Sequence, residues 1–87
     1  AKWYRLAAEQ GHAKAQFLLG RIYETGLGAQ QDHVRAYAWF NISVYSGHKD
    51  AAEKKKSLAK MMTMEKIAEA QELSRELLKK IEASTSK

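Results

Sequence analysis

Apolar and small residues recur along this chain at spacings of three and four, the period of a helix that buries one face. Over positions 12 to about 24, the residues that share such a face are Ala15, Leu18, Leu19, Ile22 and Tyr23. Over 33–46 they are Ala36, Trp39, Phe40 and Ser43. Over about 64–83 they are Ile67, Ala70, Ser74, Leu77 and Ile81. With a helix-favouring composition over 1–10, these patterns predict an all-α chain.

Glycines and capping residues predict where the helices begin and end. Gly11 and Gly47 suit the left-handed conformation that terminates a helix. The Gly26-Leu27-Gly28 segment interrupts the helical pattern. Asp32 and Thr63 are placed as N-caps of the helices that follow them. Because the chain contains no proline, long helices are not interrupted, and we expect about five of them.

Two stretches of the chain repeat each other at an offset of 36 positions. The matching pairs are Trp3 and Trp39, Gly11 and Gly47, His12 and His48, and Ala15 and Ala51. A period in the range of about 20–50 residues indicates a solenoid. The pattern decays after Gly47, where Lys56 replaces Gly20. We therefore interpret 48–83 as C-terminal capping helices with a polar outer surface, and 84–87 as a frayed tail.

The order of small residues, glycines and aromatics over about 1–52 resembles the Sel-one-like repeat (SLR) family, a relative of the tetratricopeptide repeats. The residues that carry the likeness are Trp3, Ala7-Ala8, Gly11-His12, Ala15-Gln16, Leu19-Gly20, Tyr23, Gly26-Leu27-Gly28, Asp32, Ala36 and Trp39. The resemblance implies a right-handed α/α superhelical stack. In that stack, 1–11 is the second helix of a preceding repeat and 12–47 is a complete helix pair.

The resemblance also implies a non-catalytic scaffold or adaptor that binds a peptide or protein on its concave face. In the tetratricopeptide pattern the first helix of each pair lines that face. The positions it assigns here are Lys14, Phe17, Arg21, Glu24 and Thr25, followed one period later by Asp50, Glu53, Ser57, Lys60 and Met61. Phe17 between Lys14 and Arg21 is a candidate seat for an extended peptide or an acidic segment.

Trp3, Tyr4 and Leu6 belong to a helix whose partner helix is absent from the sequence. We expect their apolar face to be exposed, and large exposed apolar patches bind partners. The sequence therefore predicts self-association, as a homodimer or by end-to-end packing, through these residues. The chain opens at Ala1 without an initiator methionine, and we interpret it as a piece of something longer.

The composition argues against several kinds of chemistry. The absence of cysteine excludes disulfides, thiolate catalysis and Cys-ligated metals. His12 and His48 lie one repeat apart, too far to share a metal ion with bonds of about 2 Å. His33 is expected to face solvent. We predict no enzyme activity, cofactor or metal. An SLR enzyme that hydrolyses β-lactams is the catalytic alternative, but such members are rich in cysteine.

The formal charge of +5 permits an acidic partner. The densest cluster of positive charge is the run Lys54-Lys55-Lys56 with Lys60. Electrostatic binding of nucleic acid or an anionic surface is therefore a second alternative. No aromatic residue lies nearby to stack on bases, and we favour a solvated helix face and no nucleic acid. No apolar run approaches the roughly 18–20 residues of a membrane span. The resemblance favours a protein exported from the bacterial cytoplasm, such as a periplasmic one.

A cluster of three methionines follows the lysine run at a predicted helix junction. The cluster consists of Met61, Met62 and Met64. Methionines fill irregular gaps in cores, and they also form adaptable binding surfaces. Both interpretations stay open at this point.

Overall fold

The computed structural model describes residues 2–85 of the chain, and these residues form five helices. The helices are α1 (Lys2–Glu9), α2 (Ala13–Thr25), α3 (His33–Tyr45), α4 (Asp50–Ala59) and α5 (Met64–Thr85). No strand occurs between residues 2 and 85. The all-α class and the predicted number of helices are therefore confirmed.

The helix boundaries follow the predicted local signals. The carboxylate oxygen Oδ1 of Asp32 accepts a hydrogen bond from the backbone N–H of Arg35 at 3.1 Å. The hydroxyl of Thr63 accepts one from the backbone N–H of Lys66, also at 3.1 Å. Gly11 and Gly47 have φ angles of 92° and 103°, a conformation that a side chain would disfavour. These four helix-end predictions are confirmed.

The last helix runs further than its predicted end. We expected it to stop at Ala83, but α5 continues to Thr85. The chain offers no glycine or proline in this region to terminate it. Two residues of the predicted frayed tail, Ser84 and Thr85, are thus helical, while Ser86 and Lys87 lie outside the described residues.

Helix α3 forms the centre of the molecule. Helices α2, α4 and α5 all pack against it, and α1 packs on α2 and reaches the end of α5. The buried residues of α3 are Ala36, Tyr37, Ala38, Trp39, Phe40, Ile42 and Ser43. They surround the helix axis, as expected for a helix covered on several sides. Burial of Phe40 or Ile42 contributes roughly 1.5–3 kcal/mol each to folding.

Gly20 sets the close approach of α2 to α3. An added Cβ at Gly20 would lie 2.7 Å from two ring carbons of Phe40, closer than van der Waals contact allows. The residue 36 positions later is Lys56, and it is exposed on α4. Helix α4 therefore cannot repeat this approach, and it buries Ala51 and Leu58 instead.

A polar connection joins three helices across α3. The Lys55 ammonium on α4 donates to Asn41 Oδ1 at 3.0 Å. The Asn41 amide donates to the hydroxyl of Ser74 on α5 at 2.9 Å. Ser74 is only 2% exposed, and its hydroxyl donates to the backbone carbonyl of Gln71. Buried polar groups need such partners, and here the partners link α4 and α5 through Asn41.

Candidate functional site

The residues that sequence analysis assigned to the concave face of α2 divide into two groups. Lys14, Arg21 and Thr25 are exposed, whereas Phe17 and Glu24 are half-buried. The Phe17 ring centroid lies 5.7 Å from that of Phe40 and 4.6 Å from that of His48. Phe17 therefore does not project freely from the surface, because its ring is packed between Phe40 of α3 and His48, which precedes α4.

The concave-face residues assigned to the second repeat, on α4 and just after it, are all exposed. They are Asp50, Glu53 and Ser57 on α4 and Lys60 and Met61 just after it, and the spacing of three and four places the first three on one helix face. This face neighbours α2, because His48 contacts Phe17 and the Lys54 ammonium lies 4.0 Å from the Glu24 carboxylate. We call the eight exposed residues, six on the two helices and two just after α4, the α2/α4 face.

Charge is unevenly distributed over the α2/α4 face. Its α2 half carries Lys14 and Arg21, while the first turn of α4 carries Asp50 and Glu53. Carboxylates in a first turn are stabilised by the positive end of the helix dipole. The face thus offers a basic strip beside a partly acidic one, which suits a partner segment that carries both signs.

The lysine run does not form one basic surface. Lys54 pairs with Glu24, and the Lys55 ammonium donates to Asn41 and lies 5.9 Å from the ring centroid of Tyr37. Of the four lysines in this cluster, only Lys56 and Lys60 are exposed. The expectation that the whole run faces solvent is therefore wrong for Lys54 and Lys55, which are half-buried because neighbouring helices supply partners for them.

The N-terminal helix exposes the expected apolar side chains. Trp3 is 74% exposed, Leu6 54% and Tyr4 37%. These three residues and Leu18 line an open groove of about 620 Å³ between α1 and α2, which we call the α1/α2 groove. Tyr4 and Leu18 also border a second depression, which extends along α2 to Ile22 and Leu27.

The contribution of α2 to this groove was not predicted from the sequence. Leu18 and Ile22 were expected in the core, but both are half-buried. Their equivalents 36 residues later are Lys54 and Leu58. A lysine at one of these positions was the available signal that the position lies at a helix edge rather than in the core.

The histidines and methionines have mixed surroundings. His48 is held against Phe17, and His12 is exposed beside the α1/α2 groove. His33 is half-buried, which contradicts its expected solvent-facing position; its ring nitrogen lies 3.5 Å from the Gln31 amide. Met62 packs against the core, whereas Met61 and Met64 are 64% and 87% exposed. Met62 therefore fills the core, whereas a binding role for the exposed Met61 and Met64 stays a prediction.

Between residues 2 and 85, no group of three or more His, Cys, Asp or Glu side chains is arranged to hold a metal ion. Within the same range, each helix is too short or too polar to cross a bilayer.

Comparisons with known proteins agree with this architecture. A family model described as Sel1 repeat matches residues 1–12 and 13–48, which together are more than half of the chain. A chitin synthase regulator, SKT5, from Malassezia restricta is 35% identical over 57 residues, 66% of this chain and 4% of that protein.

A solved structure gives the same result for the fold. It is the crystal structure of a protective antigen present in uropathogenic Escherichia coli strains, described as displaying an SLR fold. The match has a TM-score of 0.86 and 36% identity, and it covers 95% of this chain and 18% of the antigen. The chain therefore spans only a small part of either relative. The helical architecture and the family match lead to one conclusion: this chain belongs to the Sel1 repeat family and has the right-handed α/α superhelical SLR fold.

Proposed function

We propose that this chain is a non-catalytic protein-interaction module that binds an extended peptide or protein segment on its α2/α4 face. Sel1 repeats generally mediate protein–protein interaction, and such families are generally scaffolds without catalytic activity. The choice of face and of ligand form is our proposal for this chain.

One observation supports the choice of face above the others. The exposed residues of α2 and α4 lie on neighbouring helices, with the half-buried Phe17 ring between them. An extended segment laid across these helices would bury apolar atoms against Phe17 and His48. Acidic side chains of the segment would meet Lys14 and Arg21, and arginine in particular binds a carboxylate in a bidentate manner.

The test uses short random peptides displayed on phage and selected on the immobilised chain. A selected peptide is then titrated by fluorescence anisotropy against the parent chain and a Lys14→Glu/Arg21→Glu variant. We expect the variant to bind at least about tenfold more weakly, since hydrogen bonds to charged groups contribute about 1.5–3 kcal/mol. Phe17 is left unchanged, because removing its ring would also unpack Phe40 and His48.

The matched control is Lys79→Glu/Lys80→Glu, which makes the same change in net charge at exposed positions of α5. It should bind the peptide as the parent does. Equal weakening in both variants would show that only net charge matters, and this would contradict a specific α2/α4 site. Failure of any peptide to bind saturably would also contradict the proposal.

A further inference from the structure

A cleft of about 380 Å³ lies where the loop between α2 and α3 meets α1. Arg5 of α1, Tyr23 of α2 and Arg35 of α3 all line it, and we call it the arginine cleft. The eight residues of the α2/α4 face lie outside it. The fold thus brings together two arginines that are 30 positions apart in the sequence.

The side chain of Tyr23 positions both arginines. Tyr23 is only 5% exposed, and its hydroxyl accepts a hydrogen bond from Nη2 of Arg5 at 2.8 Å. The guanidinium carbon of Arg35 lies 5.8 Å from the centroid of the Tyr23 ring, within the range of a cation–π contact. Because the tyrosine is held in the core, it directs two positive groups to the same cleft.

The charge of the two arginines is only partly neutralised. Asp32 is the carboxylate of the cleft, and its Oδ2 lies 3.4 Å from Nε of Arg35. Among the described residues, no carboxylate forms an ion pair with Arg5, whose partner is the neutral hydroxyl of Tyr23. An arginine carries five N–H donors, and these contacts use one from each guanidinium. The cleft therefore combines an excess of positive charge with further donors.

Arg5 faces the helices that follow it rather than the α1/α2 groove. Its equivalent 36 positions later is Asn41, which bonds to Lys55 of α4 and Ser74 of α5. Arg5 likewise bonds to the next helix, α2. The side of α1 that lines the α1/α2 groove carries other residues, such as Leu6. The arginine cleft is thus formed by α1, α2, α3 and the loop between the last two.

We propose that the arginine cleft binds an oxyanion of a partner molecule, a phosphate monoester or a carboxylate. A guanidinium group presents paired N–H donors that match two oxygens of either group. Arg5 binds the ligand with little loss of side-chain freedom, because Tyr23 already holds it in place. Arg35 contributes the second positive charge. This binding site is additional to the α2/α4 face.

The test follows the side-chain Nε–H resonances of the arginines by two-dimensional NMR. Sodium phosphate or sodium acetate is added at constant ionic strength. We expect the resonances of Arg5 and Arg35 to shift together along one saturable curve. Arg75, which pairs with Glu72 on α5, is the internal reference and should change little and linearly. Arg21 belongs to the α2/α4 face and is not used as a reference.

The two probes distinguish the two sources of the oxyanion. Saturation by phosphate, with no saturable response to acetate, would assign the cleft to a phosphorylated ligand. Saturation by acetate at equal or lower concentration would assign it to a carboxylate, such as an acidic side chain.

Variants of the chain locate the binding site. Arg5 is exposed, so Arg5→Gln should fold, and it should weaken binding at least about tenfold because one charged donor group is lost. The matched control, Arg75→Gln, makes the same charge change on α5 and should bind as the parent does. Tyr23→Phe keeps the buried ring and removes the hydroxyl that holds Arg5. It should weaken binding several-fold without changing the charge of the cleft.

Three results would overturn the proposal. The first is a parallel, linear shift of the Arg5, Arg35 and Arg75 resonances, which would show that the ions only screen charge. The second is equal weakening by Arg5→Gln and Arg75→Gln. The third is saturation confined to Arg21, which would move anion binding to the α2/α4 face.

Failure of this proposal is distinguishable from failure of the proposed function. The Lys14→Glu/Arg21→Glu variant should retain saturable phosphate or acetate binding at Arg5 and Arg35, although it should lose the selected peptide. Arg5→Gln should bind that peptide as the parent does.

Discussion

Gly20 and Lys56 occupy equivalent positions 36 residues apart, but their surroundings are opposite. Gly20 lies against the Phe40 ring, where an added Cβ would be 2.7 Å from two ring carbons. Lys56 is exposed. At the scale of single residues, this difference determines which helix can approach its neighbour closely and which cannot.

Replacement of Gly20 by valine should destabilise the fold. The added methyl groups would displace a fully buried Phe40 ring, and overpacking of this kind costs about 2 kcal/mol, more than the small gain in helix propensity. Urea denaturation measures the free energy of unfolding. The control, Lys56→Val, makes a β-branched change at the exposed equivalent and should alter stability little. A Gly20→Val protein as stable as the parent would contradict the close approach.

The link between Asn41 and Ser74 should be measurable as a coupling. In a double-mutant cycle with Asn41→Ala and Ser74→Ala, we expect an interaction free energy of roughly 0.5–1.5 kcal/mol. The physical reason is the hydrogen bond of 2.9 Å between their side chains. Strictly additive changes in unfolding free energy would show that the two residues act independently.

Several residue-scale features were visible in the sequence and others were not. The caps Asp32 and Thr63 act on residues only three positions away, so a local pattern predicts them. The contact of Phe17 with His48 joins residues 31 positions apart, and the partners of Lys55 lie on another helix. Such contacts depend on how the helices pack, which residue spacing alone does not specify.

At the scale of helices, α5 is the longest element, and a single side chain caps its start. Replacement of Thr63 by alanine removes the acceptor for the Lys66 N–H and should cost about 1 kcal/mol. Replacement by serine keeps a hydroxyl and should retain most of that stability. Thermal unfolding, followed by circular dichroism, would compare the two variants. Equal loss in both would mean that the methyl group, rather than the cap, stabilises this end.

The number and order of helices could be predicted because each has its own hydrophobic period and its own end signals. The face that α4 buries was not predictable in the same way. The repeat pattern would direct positions such as Lys55 and Lys56 to the core, but charged side chains there turn α4 so that Leu58 is buried instead. The end of α5 was missed because residues 84–85 carry no signal against a helix.

At the scale of the whole molecule, the two ends differ in chemistry. The end formed by α1 and α2 exposes Trp3 and Leu6, whereas the outer side of α4 exposes Glu53, Lys56 and Lys60. A charged end resists stacking of further helices, and an apolar end favours it. The described residues therefore present an apolar surface on the α1 side and a charged surface on the α4 side.

The distribution of the lysines predicts weak binding to nucleic acid. Because Lys54 and Lys55 are engaged within the protein, only Lys56 and Lys60 of this cluster are exposed to neutralise phosphates. A labelled single-stranded oligonucleotide, titrated by anisotropy, should show at most weak binding that is lost between about 50 and 200 mM salt. Strong binding that survives this range, and is abolished by Lys56→Glu/Lys60→Glu, would favour the electrostatic alternative.

The candidate site was only partly predictable, because contacts between helices depend on how the helices pack. Exposure of the polar positions on α2 and α4 followed from helix periodicity, since Lys14 and Arg21 share one side of α2. The position of Phe17 depended on α4, which supplies His48 as a neighbour. The α1/α2 groove depended on two helices together.

The most direct test of the proposed interaction module is a map of backbone amide chemical shifts during titration with a peptide selected on the chain. We predict that the largest changes fall on the α2/α4 face, at Lys14, Arg21 and Thr25 in α2, at Asp50 and Ser57 in α4 and at Met61 just after α4. Changes concentrated around Trp3 and Leu6, or on α5, with the α2/α4 face unaffected, would contradict it.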